Sequence, residues 1–283
     1  MSCLLLGYDV ETSCIEDDER QYTMDGKATE VFIASARRIH EELEAPCTLY
    51  ITGITLRNFR TSLAALHGHP LFDMQSHTYD HIRFKTVMDR RIDGKTTLYP
   101  GGEPIDIAIS VARNKSLIEE FFGTECIGVC TPYGSYRGLS DRIDLLTILN
   151  KLGVKFVRSY GRNHHDASPV DIDIQPFWYG AQGYPDILEI MFHGWIDAHY
   201  RRLVGYEDWD AYVSETKKWI DMAVEKDLDL SLCQHDWTSV LHDRDMQYTK
   251  EILGYAKRRG CQLCTATDYY SSIMRKREGY GGS

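Results

Sequence analysis

Residues 75–81 read QSHTYDH, and this stretch, at the end of a short apolar run, restricts the fold more than any other part of the sequence. On a helix, side chains four residues apart share a face, so His77 and His81 could reach the same ion. Two neutral imidazoles and a carboxylate leave open positions on a divalent ion, as in hydrolytic metal sites. The H-x3-H spacing alone is weak evidence. It gains weight from GYDVE at 7–11 and CQHDW at 233–237, which also lie at the ends of apolar runs.

Outward from this stretch, strand-like runs alternate with helical patterns. Strands are predicted at 3–10, 47–52, 71–76, 126–130, 154–157, 187–192, 228–233 and 261–264. Helices are predicted at 27–44, 55–66, 103–122, 140–152, 207–225 and 246–259. Repeated β-α units of this size predict an α/β protein with a parallel sheet, open or closed into a barrel, whose site lies where the strands end. The long segment 159–185 is typical of a site wall or lid.

The composition argues against several classes of function. The 283 residues contain 32 Lys and Arg against 42 Asp and Glu, a net charge of −10 at pH 7, whereas nucleic-acid surfaces need clustered basic residues. With no evident secretion signal or membrane-span-length apolar stretch, we expect a cytoplasmic protein without nucleic-acid or membrane partners. The eight cysteines then predict reduced thiols. Cys261 and Cys264 have zinc-ligand or redox spacing, but their apolar run favours buried strand residues.

Taken in order, GYDVE, SHTYDH, TPYG at 131–134 and LCQH at 232–235 resemble the motifs of the polysaccharide deacetylase family, the NodB-homology carbohydrate esterases of family 4. The resemblance covers nearly the whole chain. It implies one deformed (β/α) barrel over 1–278, with 279–283 as a disordered tail. It also implies that Asp9 is the base, that Glu11, His77 and His81 bind a divalent metal, and that His235 is the acid. Zn²⁺ is the expected metal, with Co²⁺, Mn²⁺ and Ni²⁺ as alternatives.

Further residues are predicted around the substrate. The family resemblance implies that the backbone N–H of Tyr133, after Pro132, holds the developing oxyanion. Trp237 suits stacking against a sugar or a flat heterocycle, as do Trp178, Tyr179 and Trp195, although core packing would explain these aromatic residues equally well. Asp80 and Asp236 could fix the imidazoles or be ordinary caps.

The sequence departs from the family pattern at three places. An Asp-x-Glu replaces the usual Asp-Asp pair, but residues i and i+2 share a face of a strand and could still converge. Cys130 stands where the motif has an Arg that orients the base, so Arg137 or Arg158 could substitute and contact the substrate region. The Asp-Trp pair that polarises the late histidine is absent at 158–160, and Asp197 or Asp166 could replace its Asp.

The predicted function is a metal-dependent hydrolase of non-peptide C–N bonds. The first substrate class is an N-acetylated saccharide or sugar derivative, and the second is a small cyclic or linear amide of the ureide or imide type. A catalytically degenerate barrel that binds a glycan or metabolite is a third possibility. The histidine pair, the acidic strand end and His235 could each also be ordinary polar positions. Self-association into a homo-oligomer is left open.

Overall fold

The computed structural model describes residues 2–15, 20–90 and 96–280. The strands are β1 Cys3–Val10, β2 Cys47–Ile51, β3 Phe72–Ser76, β4 Val87–Arg90, β5 Thr96–Tyr99, β6 Gly128–Tyr136, β7 Phe156–Arg162, β8 Phe177–Tyr179, β9 Tyr184–Glu189, β10 Leu230–His235 and β11 Gln262–Leu263. The helices are α1 Ala28–Leu43, α2 Gly53–Asn58, α3 Arg60–Leu63, α4 Pro104–Phe122, α5 Ile143–Lys151, α6 Asp197–Val204, α7 Trp209–Lys226, α8 Asp236–Val240, α9 Gln247–Arg258 and α10 Ala266–Tyr280. Short 3₁₀ helices occupy Thr12–Cys14, Arg20–Tyr22, Ala64–Leu66 and Gly180–Gln182.

A nine-stranded sheet forms the centre of the molecule. Its order is β10-β1-β2-β3-β6-β7-β9-β8, with β11 beside the start of β1. All pairs are parallel except β8 with β9, so the predicted parallel α/β architecture is confirmed. The sheet is not closed, because β8 covers the free edge of β9 with a short antiparallel pairing and no ladder joins β8 to β10 in the described parts of the chain. The strands β4 and β5 form a separate hairpin.

The sheet is buried because helices cover it. Every residue of β1 is buried, which explains why its sequence CLLLGYDV is nearly continuous in apolar residues rather than alternating. The amphipathic helix α1 buries Phe32, Ile33 and Ile39 in the largest apolar cluster. The strands therefore end at a rigid edge from which side chains can be presented.

Several boundaries differ from the sequence-based prediction. The helix expected at 55–66 begins after Thr52, whose hydroxyl caps it by accepting a hydrogen bond from the backbone N–H of Thr55, and it is interrupted at Phe59. Segment 159–185 is not an irregular loop throughout, because β7 continues to Arg162 and β8 lies within it. Hairpin β4–β5, α6 and α10 were not predicted. Helix α10 runs to Tyr280, and the remainder of the expected tail, 281–283, lies outside the described residues.

The cysteines depart from the expectation of eight reduced thiols. Cys3 and Cys264 form a disulfide, which is possible because β11 lies beside the start of β1. Cys261 is buried, as predicted, and remains a free thiol. Within the described ranges, no helix has both the length and the apolar character needed to cross a bilayer.

Candidate metal centre

Three neighbouring strands end at the same level and bring the predicted residues together. Val10, Ile51 and Ser76 are register partners across β1, β2 and β3, so the residues that follow them begin at one edge of the sheet. On the other side of β1, Asp9 is the register partner of His235 on β10. The carboxyl ends of parallel strands therefore supply the whole cluster, as the sequence predicts.

Glu11, His77 and His81 converge on one point. The Oε2 atom of Glu11 lies 3.1 Å from Nε2 of His77 and 2.8 Å from Nε2 of His81. The three ligand atoms all lie within 4.8 Å of one another. Two imidazole nitrogens and one carboxylate oxygen are a donor set that suits Zn²⁺ and related divalent ions, so the residues present fit a metal.

The two histidines meet for a reason different from the one expected. Residues 77–81 form a loop after β3 rather than a helix, and His81 (φ 60°) and Thr78 (φ 62°) adopt left-handed backbone conformations. Such conformations cost non-glycine residues about 1–3 kcal/mol each and persist where surrounding structure enforces them. Here the hydroxyl of Ser110 accepts a hydrogen bond from the backbone N–H of Tyr79 and donates one to Asp80. Asp80 thus holds the loop and not an imidazole.

Hydrogen bonding fixes the orientation of His77. Its Nδ1–H donates to the backbone carbonyl of Cys130 at 3.1 Å, and its Nε2 lies 3.1 Å from Oε2 of Glu11. A ligating histidine is commonly oriented in this way by a carbonyl group. Burial raises the pKa of Glu11, but His81, His235 and His77 outweigh it and hold that pKa well below its usual range.

Asp9 has a buried cationic partner. Nη1 of Arg158 donates to Oδ1 of Asp9 at 2.8 Å, and the guanidinium packs 3.9 Å from the ring centre of Phe192. The thiols of Cys130 and Cys233 lie on either side of the same carboxylate. Arg158 therefore supplies Asp9 with the cationic partner that Cys130 cannot provide.

His235 has a buried anionic partner. Its Nδ1 lies 2.6 Å from Oδ1 of Asp197, and its backbone N–H donates to Oδ2 of the same residue. Burial lowers the pKa of His235, but Asp197 and Glu11 outweigh this effect and raise it to about 10. Asp166, the alternative partner, instead accepts a hydrogen bond from the backbone N–H of Met88. The imidazole is therefore a proton donor at neutral pH in the metal-free protein.

The other predicted residues divide into two groups. Tyr133 (φ 67°) and Trp237 line the cleft beside the cluster, with the indole N–H of Trp237 3.4 Å from Oε1 of Glu11. Pro132 is buried within β6, and Arg137 is exposed and lines a separate surface cavity. The structure does not bring these two residues to the cluster. Trp178, Tyr179 and Trp195 likewise lie outside the cleft lining.

The sequence reasoning missed one wall of the cleft. The lining residues that it did not identify as site residues are Ile15, Phe192, Ile196, Ala198, His199, Arg202 and Cys233. Three of them belong to α6, where Ala198, His199 and Arg202 share a face, and this i, i+1, i+4 spacing next to Asp197 was the available signal. Arg202 also pairs with Asp89 of the β4–β5 hairpin at 3.2 Å, which ties the hairpin to this wall.

Neither a protein-family model nor a curated protein matches the sequence. Comparison of structures does find solved proteins with a similar fold. A protein assigned as a polysaccharide deacetylase from Pseudomonas aeruginosa PAO1 has a TM-score of 0.68 and 13% identity, over 96% of this chain and 91% of its own. Puue allantoinase has a TM-score of 0.67 and 14% identity, over 95% and 89%. A pseudoenzyme of carbohydrate esterase family 4 from Bacillus anthracis has a TM-score of 0.56 and 10% identity, over 95% and 65%. The chain therefore has the NodB-type fold of the polysaccharide deacetylases.

Proposed function

We propose that this protein is a metal-dependent hydrolase of non-peptide C–N bonds and that its first substrate class is an N-acetylated saccharide or sugar derivative. The observation that carries the proposal is the convergence of Glu11, His77 and His81 beside Asp9 and His235. A candidate base, a candidate acid and three candidate metal ligands lie together at this cleft, and metal-assisted amide hydrolysis uses such a set of groups.

The protein side chains divide the proton transfers. When bound, a divalent cation supplies Lewis acidity and makes water nucleophilic near neutral pH. Arg158 engages Oδ1 of Asp9, so Oδ2 is the atom that accepts the proton of the attacking water. Asp197 holds Nδ1 of His235, so the Nε2–H of His235 faces the cleft. This N–H gives its proton to the leaving nitrogen as the C–N bond breaks.

The site also offers a hydrogen-bond donor for the negative charge that develops on the carbonyl oxygen of the substrate. Tyr133 lines the cleft with its ring centre 5.7 Å from that of His81. Its left-handed backbone conformation lies at an irregularity in the pairing of β6 with β7. The backbone N–H of Tyr133 is the proposed oxyanion donor, since such donors are effective when they are held rigidly.

A small cyclic or linear amide is the second candidate substrate, and the character of the cleft favours it. The side chains of Glu11 and His77 are only 7% and 1% exposed, and the cleft lining includes the apolar side chains of Ile15, Phe192 and Ile196. A cleft with buried polar groups and apolar walls suits a small flat molecule more than a polymer. The likeness in fold to an allantoinase supports the same candidate.

Metal content of the purified protein tests the proposal. We expect about one divalent metal per chain by elemental analysis, lost in His77→Ala and retained in His165→Ala, which changes an exposed histidine outside the cleft. The metal-loaded protein is then assayed with N-acetylated sugars and with small cyclic and linear amides for released acetate or ammonia. If the protein contains no metal after reconstitution, the proposed hydrolase function is rejected. A catalytically degenerate protein that binds a glycan or metabolite then becomes the favoured function.

A further inference from the structure

We propose that Asp236 is a positioning residue that fixes the backbone of Glu11 for metal binding. The inference rests on the proposed metal centre and adds to it a carboxylate that contacts neither the metal ligand atoms nor the proton-transfer groups. Glu11 and Asp236 lie 225 residues apart in the sequence, at the ends of the neighbouring strands β1 and β10.

Asp236 is fully buried and its carboxylate accepts hydrogen bonds on both oxygens. Oδ1 accepts from the backbone N–H of Glu11 at 3.2 Å and from that of Trp237 at 3.0 Å. Oδ2 accepts from the hydroxyls of Thr12 and Thr29 at 2.7 and 2.6 Å. A buried carboxylate with this many donors is held in one orientation.

The backbone at Glu11 needs such a partner. Strand β1 ends at Val10, and Glu11 (φ −139°, ψ 7°) precedes a 3₁₀ helix, so its N–H lies beyond the sheet ladder. Leaving a buried backbone N–H unpaired costs folding free energy. A rotation of the backbone at Glu11 that redirects this N–H would also turn the side chain of Glu11 away from the imidazoles of His77 and His81. Asp236 removes that freedom.

The residue after Asp236 constrains the other end of the same side chain. The indole N–H of Trp237 lies 3.4 Å from Oε1 of Glu11, which leaves Oε2 facing His77 and His81. The tripeptide at 235–237 thus supplies the proposed acid and two restraints on one ligand. This arrangement gives Asp236 a role at the site although its carboxylate contacts neither His77 nor His81.

The test replaces Asp236 by an isosteric amide. In Asp236→Asn one acceptor oxygen becomes an NH₂ group, which cannot accept from the backbone N–H of Glu11 in one orientation of the amide or from that of Thr12 in the other. Loss of an outer-shell partner commonly weakens metal binding by about 10–100-fold, so we expect a rise of that size in the dissociation constant for Zn²⁺. Competition with a chromogenic chelator measures it, and added Zn²⁺ should restore turnover.

Asp73→Asn is the matched control. Asp73 also accepts several hydrogen bonds, from Gln75, Thr267 and Thr48, but it lies near the opposite end of β3 from His77. We expect both variants to lower the melting temperature of the metal-free protein and only Asp236→Asn to shift Zn²⁺ affinity. If Asp236→Asn does not fold, Thr29→Val, which removes one donor to Asp236, should weaken Zn²⁺ binding by a smaller factor.

The outcomes separate this inference from the function on which it rests. Unchanged Zn²⁺ affinity in Asp236→Asn, or in Thr29→Val where only that variant folds, overturns the positioning role while the loss of metal in His77→Ala keeps the metal centre. Zn²⁺ retained by His77→Ala overturns the metal centre and the positioning role together. An equal loss of affinity in Asp73→Asn also overturns the inference, because it assigns the effect to general stability.

Discussion

Breaking the buried ion pair between Arg158 and Asp9 should destabilise the protein strongly, and replacing Arg158 by Gln tests this. The two side chains are 1% and 6% exposed, and their atoms are 2.8 Å apart. Removing one partner of a buried pair leaves an uncompensated charge and costs about 3–5 kcal/mol, whereas surface pairs contribute about 0–1 kcal/mol. His77 still lies 3.8 Å from Oδ2 of Asp9 and supplies part of the compensation, so we expect the lower end of that range.

The assay is urea unfolding of metal-free protein in a double-mutant cycle. Asp9→Asn alone leaves the guanidinium unpaired and should also destabilise the protein. The double variant should be more stable than the sum of the single effects predicts, by about 1–3 kcal/mol, because residues in contact couple within this range. Arg37→Gln is the control, because Arg37 pairs with Glu41 on the surface of α1, where both side chains are 44% exposed, and its loss should cost less than about 1 kcal/mol.

Two results would refute this reasoning. One is a loss of less than about 1 kcal/mol in Arg158→Gln, which is the range of a surface pair. The other is a coupling energy indistinguishable from zero, which would mean that Arg158 acts through its packing on Phe192 and not through the charge of Asp9.

Three more predictions follow from the site and the core. Asp9→Asn should abolish turnover and leave metal content near normal in elemental analysis; surviving activity would show that Asp9 is not the base. Asp197→Asn should lower kcat by about 10²-fold or more without loss of metal, because His235 loses the group that orients it and favours its charged form. Burial lowers the pKa of His40 to about 4, so as the pH falls, this histidine binds a proton in the unfolded protein before it does so in the folded protein. His40 therefore does not reduce the free energy of unfolding above about pH 6.5, and it reduces it by up to about 3 kcal/mol as the pH falls from 6.5 towards 4. Urea unfolding between pH 7 and 4.5 should show a smaller loss of stability in His40→Gln, and equal slopes would contradict the assignment.

The parts of the site that lie on strand ends could be predicted from the sequence. Asp9 and Glu11 are two residues apart at the end of a strand, so period-two alternation places them together without knowledge of the rest of the fold. The position of His235 on β10 followed from the same rule of parallel sheets. These predictions depend on local patterns and on one topological rule.

The remaining parts depend on contacts between distant segments. The choice of Arg158 over Arg137 was not predictable, because it is decided by which strand lies beside β6 and not by the sequence around either arginine. The convergence of His77 and His81 was predicted correctly for an incorrect reason, since a loop with left-handed residues replaces the helix. The disulfide of Cys3 with Cys264 likewise reflects the return of the chain beside its own first strand.

The pairing of β1 with β10 and β11 has a consequence for the order of folding. The strand that carries Asp9 and leads to Glu11 is synthesised before the other strands of the sheet, but its neighbours on one side are β10 and β11, which follow the other strands of the sheet in the sequence. During synthesis the first strand, which is buried along its whole length in the folded protein, has only β2 to pair with until residue 235 has left the ribosome. Such long-range pairing is slow and leaves an apolar edge open to other chains. Completion of the site and protection of this edge are therefore the same late event, and a chain truncated before β10 should aggregate instead of accumulating as a stable partial sheet.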